Sequence, residues 1–206
     1  MLAFATICRC RIRRFHEGLT EMKKRIAAIA AVMFIAGAPI LASAAEPRPA
    51  YKPLPNFGLA AGAPFPLDGL AGADGKAIDG QRLLGKRVLI NFYTKHCPPC
   101  IREVPKLNDI MKRRGDLHVL AITPDSATEA AGYVKQHGLI WPVAANAGPL
   151  LFKQLDVQAF PAFALLDEKG RLITTVQANQ LGGEDGHATV AGIEAWIEAQ
   201  RAPATN

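Results

Sequence analysis

Two cysteines, Cys97 and Cys100, separated by two prolines, are the residues of this 206-residue chain whose type and spacing best suit chemistry. Thiol–disulfide exchange needs a thiolate that reaches a sulfur on another molecule and a second thiol that resolves the mixed disulfide. Cys97-Pro98-Pro99-Cys100 meets both needs if it opens a helix. Cys97 then falls near the N-cap, where the helix dipole and free N–H groups favour its anion, and is expected to be the exposed nucleophile. Cys100, one turn further in, is expected to be shielded and to resolve. Pro98 suits the first helical position. Pro99 removes another N–H beside Cys97 and leaves Cys100 N–H as the nearest donor. A moderately stabilised thiolate puts the pair toward the reducing end of the scale, away from the roughly −120 mV of strong oxidants. Glu103 and Cys100 stand three apart, a spacing that puts both on one helix face. A shielded carboxylate there can take the Cys100 proton as that sulfur attacks.

The flanking elements must deliver this pair to a surface. Residues 88–94 form a nearly continuous apolar run ending just before Cys97, as expected of a central strand covered on both faces. A helix is predicted from Pro98 to about Arg114, bent at Pro105. Residues 117–122 read as a second buried strand. Ser126 and Glu129 form a capping-box pattern opening a helix that stops at Gly138. Pro149 is predicted to open a short helix to about Leu155. Residues 162–166 and 171–176 read as strands joined by a turn at 167–170, and Val190, Ile193, Trp196 and Ile197 line one face of a last helix. Trp141 and Pro142 read as core and turn. Asp74-Gly75 signals a hairpin ahead of the first strand. This order implies an α/β fold, with parallel strands through crossovers and antiparallel strands from the hairpin.

The ends read differently. The formal charge is +6, but residues 1–44 hold seven Lys/Arg against two acids, whereas 45–206 hold 17 basic and 16 acidic residues. The near-neutral body carries no phosphate-binding field, so nucleic acid is excluded as a partner. Residues 22–25 are basic, 26–37 are apolar, Pro39 breaks the run, and Ala42-Ser43-Ala44 supplies small residues for cleavage. Residues 1–44 therefore read as a leader and secretory signal, with synthesis starting at Met22 as the favoured reading and an uncleaved membrane anchor as the alternative. Residues 45–61, with four prolines between 46 and 55, read as an extended tether. A single α/β domain is expected over 62–201, with a tail at 202–206. Cys8 and Cys10 leave with the leader, so an exported chain retains one close pair, which suits redox work better than a disulfide scaffold or a zinc site.

The run 85–105, Gly-Lys-Arg-Val-Leu-Ile-Asn-Phe-Tyr-Thr-Lys-His-Cys-Pro-Pro-Cys-Ile-Arg-Glu-Val-Pro, resembles the TlpA/ResA-like branch of the thioredoxin superfamily. The resemblance extends from Gly62-Ala-Pro-Phe65 to Val157, Phe160-Pro161 and the turn ending at Gly170, and covers about 62–176. It implies a thioredoxin-like fold, a mixed parallel/antiparallel sheet flanked by helices, with an N-terminal β-hairpin extension. It matches Cys97 to the family nucleophile, Cys100 to its partner and Glu103 to an acidic residue beside the site. It matches Pro161 to a cis-proline opposite the pair, leaving backbone groups of Phe160 free to pair with an extended client. His96 stands where the family usually has Trp; protonated it would stabilise the thiolate, and otherwise it faces water. Asn91 replaces the buried Asp of ordinary thioredoxins, which puts more weight on Glu103. Lys95 and Arg102 read as solvated, and His118, His137 and His187 as surface or capping groups. Thr94 and Cys97 have peroxiredoxin spacing, but Ile90 stands where those proteins need proline, so peroxide chemistry is not expected.

The resemblance implies a periplasmic thiol:disulfide reductase serving cytochrome c maturation or copper-site assembly. Its partners would be disulfide-bearing exported proteins and an integral membrane thiol donor of electrons. The pair itself does the chemistry, so no bound cofactor and no metal are expected, and with no dimerisation segment a monomer is. A second reading holds Cu(I) on Cys97, Cys100 and His96. A third, an oxidase or isomerase, is disfavoured by the two intervening prolines.

Overall fold

The computed structural model describes residues 50–182 and 186–201; the expected leader, with Cys8 and Cys10, the first part of the tether and the tail lie outside the described residues. Apolar runs become strands and capped amphipathic stretches become helices, in a strand–helix alternation followed by a hairpin. The elements are β1 (Ala71–Gly72), β2 (Arg87–Phe92), α1 (Pro98–Arg113), β3 (Leu117–Ile122), α2 (Ala127–His137), β4 (Val143–Ala145), a π-helical turn (Leu150–Gln154), β5 (Ala162–Leu166), β6 (Leu172–Gln177) and α3 (Val190–Ala199). Among the described residues no helix is long and apolar enough to cross a membrane.

The six strands form one sheet in the order β1-β4-β3-β2-β5-β6. β2 pairs parallel with β3 and antiparallel with β5, and β3 pairs parallel with β4. The mixed sheet expected of the fold is therefore present, with β2 at its centre and covered on both faces. One apolar layer joins Leu89, Tyr93, Leu107, Ile110, Tyr133, Phe163, Ile193 and Trp196. It holds α1, α2 and α3 against one face. The opposite layer joins Val88, Ile90, Phe92, Leu120, Leu151 and Leu155. The alternation of β2 between the two layers is the pleat itself.

Local signals act where the sequence puts them. Ser126 Oγ accepts from Glu129 N and Glu129 Oε2 accepts from Ser126 N, which closes the capping box of α2. Gly138 ends that helix at φ 69°, a left-handed conformation that glycine adopts without the Cβ clash. α1 runs unbroken through Pro105. The Asp74-Gly75 turn forms, with Gly72 N donating to Lys76 O at 2.6 Å, but its first arm is the two-residue β1, which joins the sheet edge through β4.

The Pro-rich stretch, expected as a tether, is laid against the domain from Tyr51 onward. Leu54 N donates to Thr175 Oγ1 at 2.9 Å, and Lys52 N donates to Gln180 Oε1 at 2.8 Å. Gly58 N donates to Leu155 O at 3.0 Å, and Phe57 and Leu59 pack on the second layer. Proline content reports the extended conformation; the apolar residues between the prolines report the docking. A Cβ on Gly58 would stand 1.7 Å from the Gln154 carbonyl oxygen. Gly58→Ala is therefore expected to lift this stretch and cost roughly 1–3 kcal/mol, read as a lower urea midpoint.

Candidate redox site

The site forms at the C-terminal end of β2. The regular strand ends at Phe92, two residues before the end expected from sequence; Tyr93 N still donates to Ile122 O at 3.2 Å, and the chain turns from Thr94. Cys97 N donates to Thr94 O at 3.3 Å, closing that turn. Asp125 anchors it from the neighbouring loop: its Oδ2 accepts from Lys95 N at 2.7 Å and from Thr123 Oγ1 at 2.6 Å. Lys95 Nζ pairs with Glu129, so it is not a free solvated cation. The Glu129 carboxyl, bonded by Lys95 and Ser126, is held down at about 2.

Cys97 is the N-cap of α1, with prolines in the first turn. It is joined to Cys100 in a disulfide. Cys100 N donates to Cys97 Sγ at 3.3 Å, the one nearby donor left after two prolines. Cys97 is 9 % exposed and Cys100 3 %, so the order of exposure is as expected, but Cys97 is not an exposed residue. Both cysteines belong to the buried apolar layer that also holds Tyr93.

Glu103 lies one turn beyond Cys100 on the inward face of α1, 2 % exposed. Burial pushes its carboxyl up to about 8, against a smaller downward pull from Lys106. Its Oε2 has no hydrogen-bond partner. At neutral pH it is thus mostly a neutral acid, which is the form a buried carboxyl without donors adopts. The group that sequence spacing places as a partly shielded base is a deeply buried one.

Pro161 precedes β5, and Phe92 pairs with Ala162, so Pro161 stands at the same sheet end as the cysteines. The Phe160–Pro161 peptide is cis. Pro161 O accepts from Ala178 N and Gln177 Nε2, whereas the backbone N–H and C=O of Phe160 have no partner among the described residues. The Phe160 ring meets Phe152 edge-on at 6.3 Å, and Phe152 is 51 % exposed. His96 is exposed and its ring has no partner among the described residues. Arg102, expected to be solvated, bonds the His187 ring at 2.8 Å.

Sequence reasoning passed over Tyr93 and Tyr133. Their rings meet at 4.6 Å in the apolar layer that also holds the two cysteines, and both hydroxyls are buried without partners. Burial drives both phenols above their usual range. Only their placement in apolar runs was visible, and that reads as core. Asn91, also buried, shares this face of β2 with Leu89 and Tyr93, and its Nδ2 is unpartnered.

Residues 52–195 match the Redoxin family. Over 111 residues the chain is 32% identical to the thiol-disulfide oxidoreductase ResA of Bacillus thuringiensis subsp. konkukian; the match covers 52% of this chain and 64% of that protein. The chain thus spans just under two thirds of the length of that relative. MTB dsbF, solved in mixed oxidized and reduced forms, superposes with TM-score 0.54 at 20% identity, covering 68% of this chain and 99% of that one. The thioredoxin domain of a thiol-disulfide oxidoreductase from Bacteroides vulgatus gives 0.54 at 17% identity, covering 68% and 98%. These superpositions establish the thioredoxin-like fold.

Proposed function

The chain belongs to the Redoxin family, and from that premise we propose that it is an exported thiol:disulfide reductase of the ResA type, acting on disulfides of other exported proteins. The observation that carries the reading is the Cys97–Cys100 disulfide at the start of α1 with a buried carboxyl, Glu103, one turn behind it. Such an arrangement can give up two electrons while Glu103 keeps the Cys100 proton, so that the oxidised site is left without a charge in the apolar layer.

In the reduced protein the Cys97 thiolate attacks one sulfur of a client disulfide. A bond forms between Cys97 Sγ and the client, and the departing client sulfur takes the electron pair and a solvent proton. Glu103, as carboxylate, then takes the proton of Cys100. The Cys100 sulfur attacks Cys97 Sγ, the Cys97–client bond breaks, and the second client sulfur leaves as a thiolate. The products are a reduced client and an oxidised protein with Glu103 protonated. Recharging reverses the step, with Glu103 returning its proton to Cys100. The electrons come from a thiol donor, which in an oxidising compartment means an integral membrane thiol protein. The basic-then-apolar segment 22–44 supports periplasmic export. The unpaired backbone of Phe160 supports strand-like binding of an extended client beside the pair.

Cys100→Ser keeps the nucleophile and removes the group that releases the client. Expressed in cells, this variant is expected to accumulate mixed disulfides through Cys97 that dithiothreitol dissolves and mass spectrometry identifies. Clients drawn from exported proteins with CxxC haem sites or copper sites would fix the pathway. Absence of any Cys97 adduct, with the variant folded and exported, counts against the reading.

A further inference from the structure

Glu103 must ionise for the step above, yet its Oε2 has no donor in the oxidised structure. A buried carboxylate without a hydrogen-bond donor is strongly disfavoured. Which group receives it can be read from how α1 and α2 pack. Both helices join parallel strands, β2 to β3 and β3 to β4, so both run back along the sheet in the same direction. Right-handed crossovers put them on one face. Asn108 Nδ2 on α1 donates to Gly138 O, at the end of α2, at 2.9 Å. Glu103 lies five residues before Asn108, and Tyr133 lies five residues before Gly138. With equal rise per residue the two stand at one height on neighbouring helices. Each is buried on its helix's inward side, and each carries a polar atom without a partner.

We propose that Tyr133 is a positioning residue for the thiol chemistry: its hydroxyl on α2 is the donor that Glu103 takes up as a carboxylate. The inference rests on the reading of Glu103 as the proton acceptor. The charge of Glu103 acts on Tyr133, which supports their proximity. Other groups facing this place are Lys106 on α1, His137 on α2, whose ring meets Tyr133 at 4.5 Å with a 56° tilt, and Tyr93 and Asp125 from the two loops. None of these offers the same fit. Lys106 Nζ is bonded to Ala188 O, and Asp125 carries no donor. Tyr93, whose hydroxyl is also buried without a partner, lies outside both helices, in the loop after β2. Half-buried His137 extends this aromatic contact toward solvent.

The test is Tyr133→Phe, which keeps the ring stack and removes the hydroxyl. The carboxyl carbon of Glu103 is followed by 13C NMR titration in the oxidised protein, beside the pH profile of insulin reduction driven by dithiothreitol. Loss of the donor is expected to raise the Glu103 titration by about one pH unit. Turnover at pH 7 falls about tenfold, since the ionised fraction of a group near 8 falls tenfold for each unit. Tyr93→Phe, the control on the same stack, leaves both unchanged. An unchanged Glu103 titration in folded Tyr133→Phe overturns the inference, as does a shift of equal size in Tyr93→Phe. A variant too unstable to titrate is replaced by Tyr133→Trp, which restores an N–H donor and is expected to keep the titration within about half a unit of the parent. Failure of the underlying reading looks different: Glu103→Gln would then keep the acidic limb of the pH profile, whatever Tyr133→Phe does.

Discussion

Cys97→Ser is expected to reduce insulin no faster than dithiothreitol does alone. The thiolate is the attacking species in exchange, and a serine hydroxyl neither ionises near neutrality nor forms a bond that a thiol can reverse. The loss is complete because Cys100 cannot substitute. It is 3 % exposed and sits one turn inside α1, so a protein disulfide cannot reach it. The serine hydroxyl of this variant can still cap α1, as serine is a favoured N-cap, so the fold should survive. Unchanged circular dichroism with lost turnover is the expected pair of results. Residual turnover above the dithiothreitol background would assign the attack elsewhere and remove the proposed function.

Glu103→Gln is expected to act in two directions at once. Turnover falls by on the order of 10²–10⁴, the usual worth of a positioned proton acceptor, and the rise of activity toward pH 8 disappears. Stability responds with the opposite sign. The folded-state carboxyl titrates near 8 against 4.5 in the open chain, so the folded protein holds a proton that the unfolded chain releases. This contribution is fully present below about pH 4.5 and is lost as pH rises toward 8, at about 1.4 kcal/mol per pH unit. Between pH 4.5 and 7 the parent should lose about 3 kcal/mol to this group. The Gln variant should lose none of it, so the difference in urea stability between the two proteins should change by that amount over the same range. A pH-independent difference would mean that Glu103 titrates normally, and the buried-acid mechanism would fail with it. The combination marks a group kept for chemistry at the expense of the fold.

Much of this was legible along the chain. Cys97 and Cys100 declare themselves because a helix start is a local event: Pro98, the apolar run before it and the one-turn spacing act within a dozen residues. Ser126 with Glu129, Gly138, and the turn at 167–170 are local for the same reason, and each appears where its residue types require. From such signals alone the order of strands and helices, the mixed sheet and the redox pair follow. What depends on distant segments was not legible. The three-residue β4 is too short to show a period and exists because β3 and β1 flank it. The stretch from Tyr51 to Leu59 reads as a tether because its prolines are conspicuous, and it docks because Thr175, Gln180 and Leu155 offer partners more than a hundred or nearly a hundred residues away. Spacing put Glu103 on the face of Cys100. Only the tertiary packing around α1 buried it and raised its proton affinity, because desolvation is a property of everything that surrounds a group and not of its neighbours in sequence.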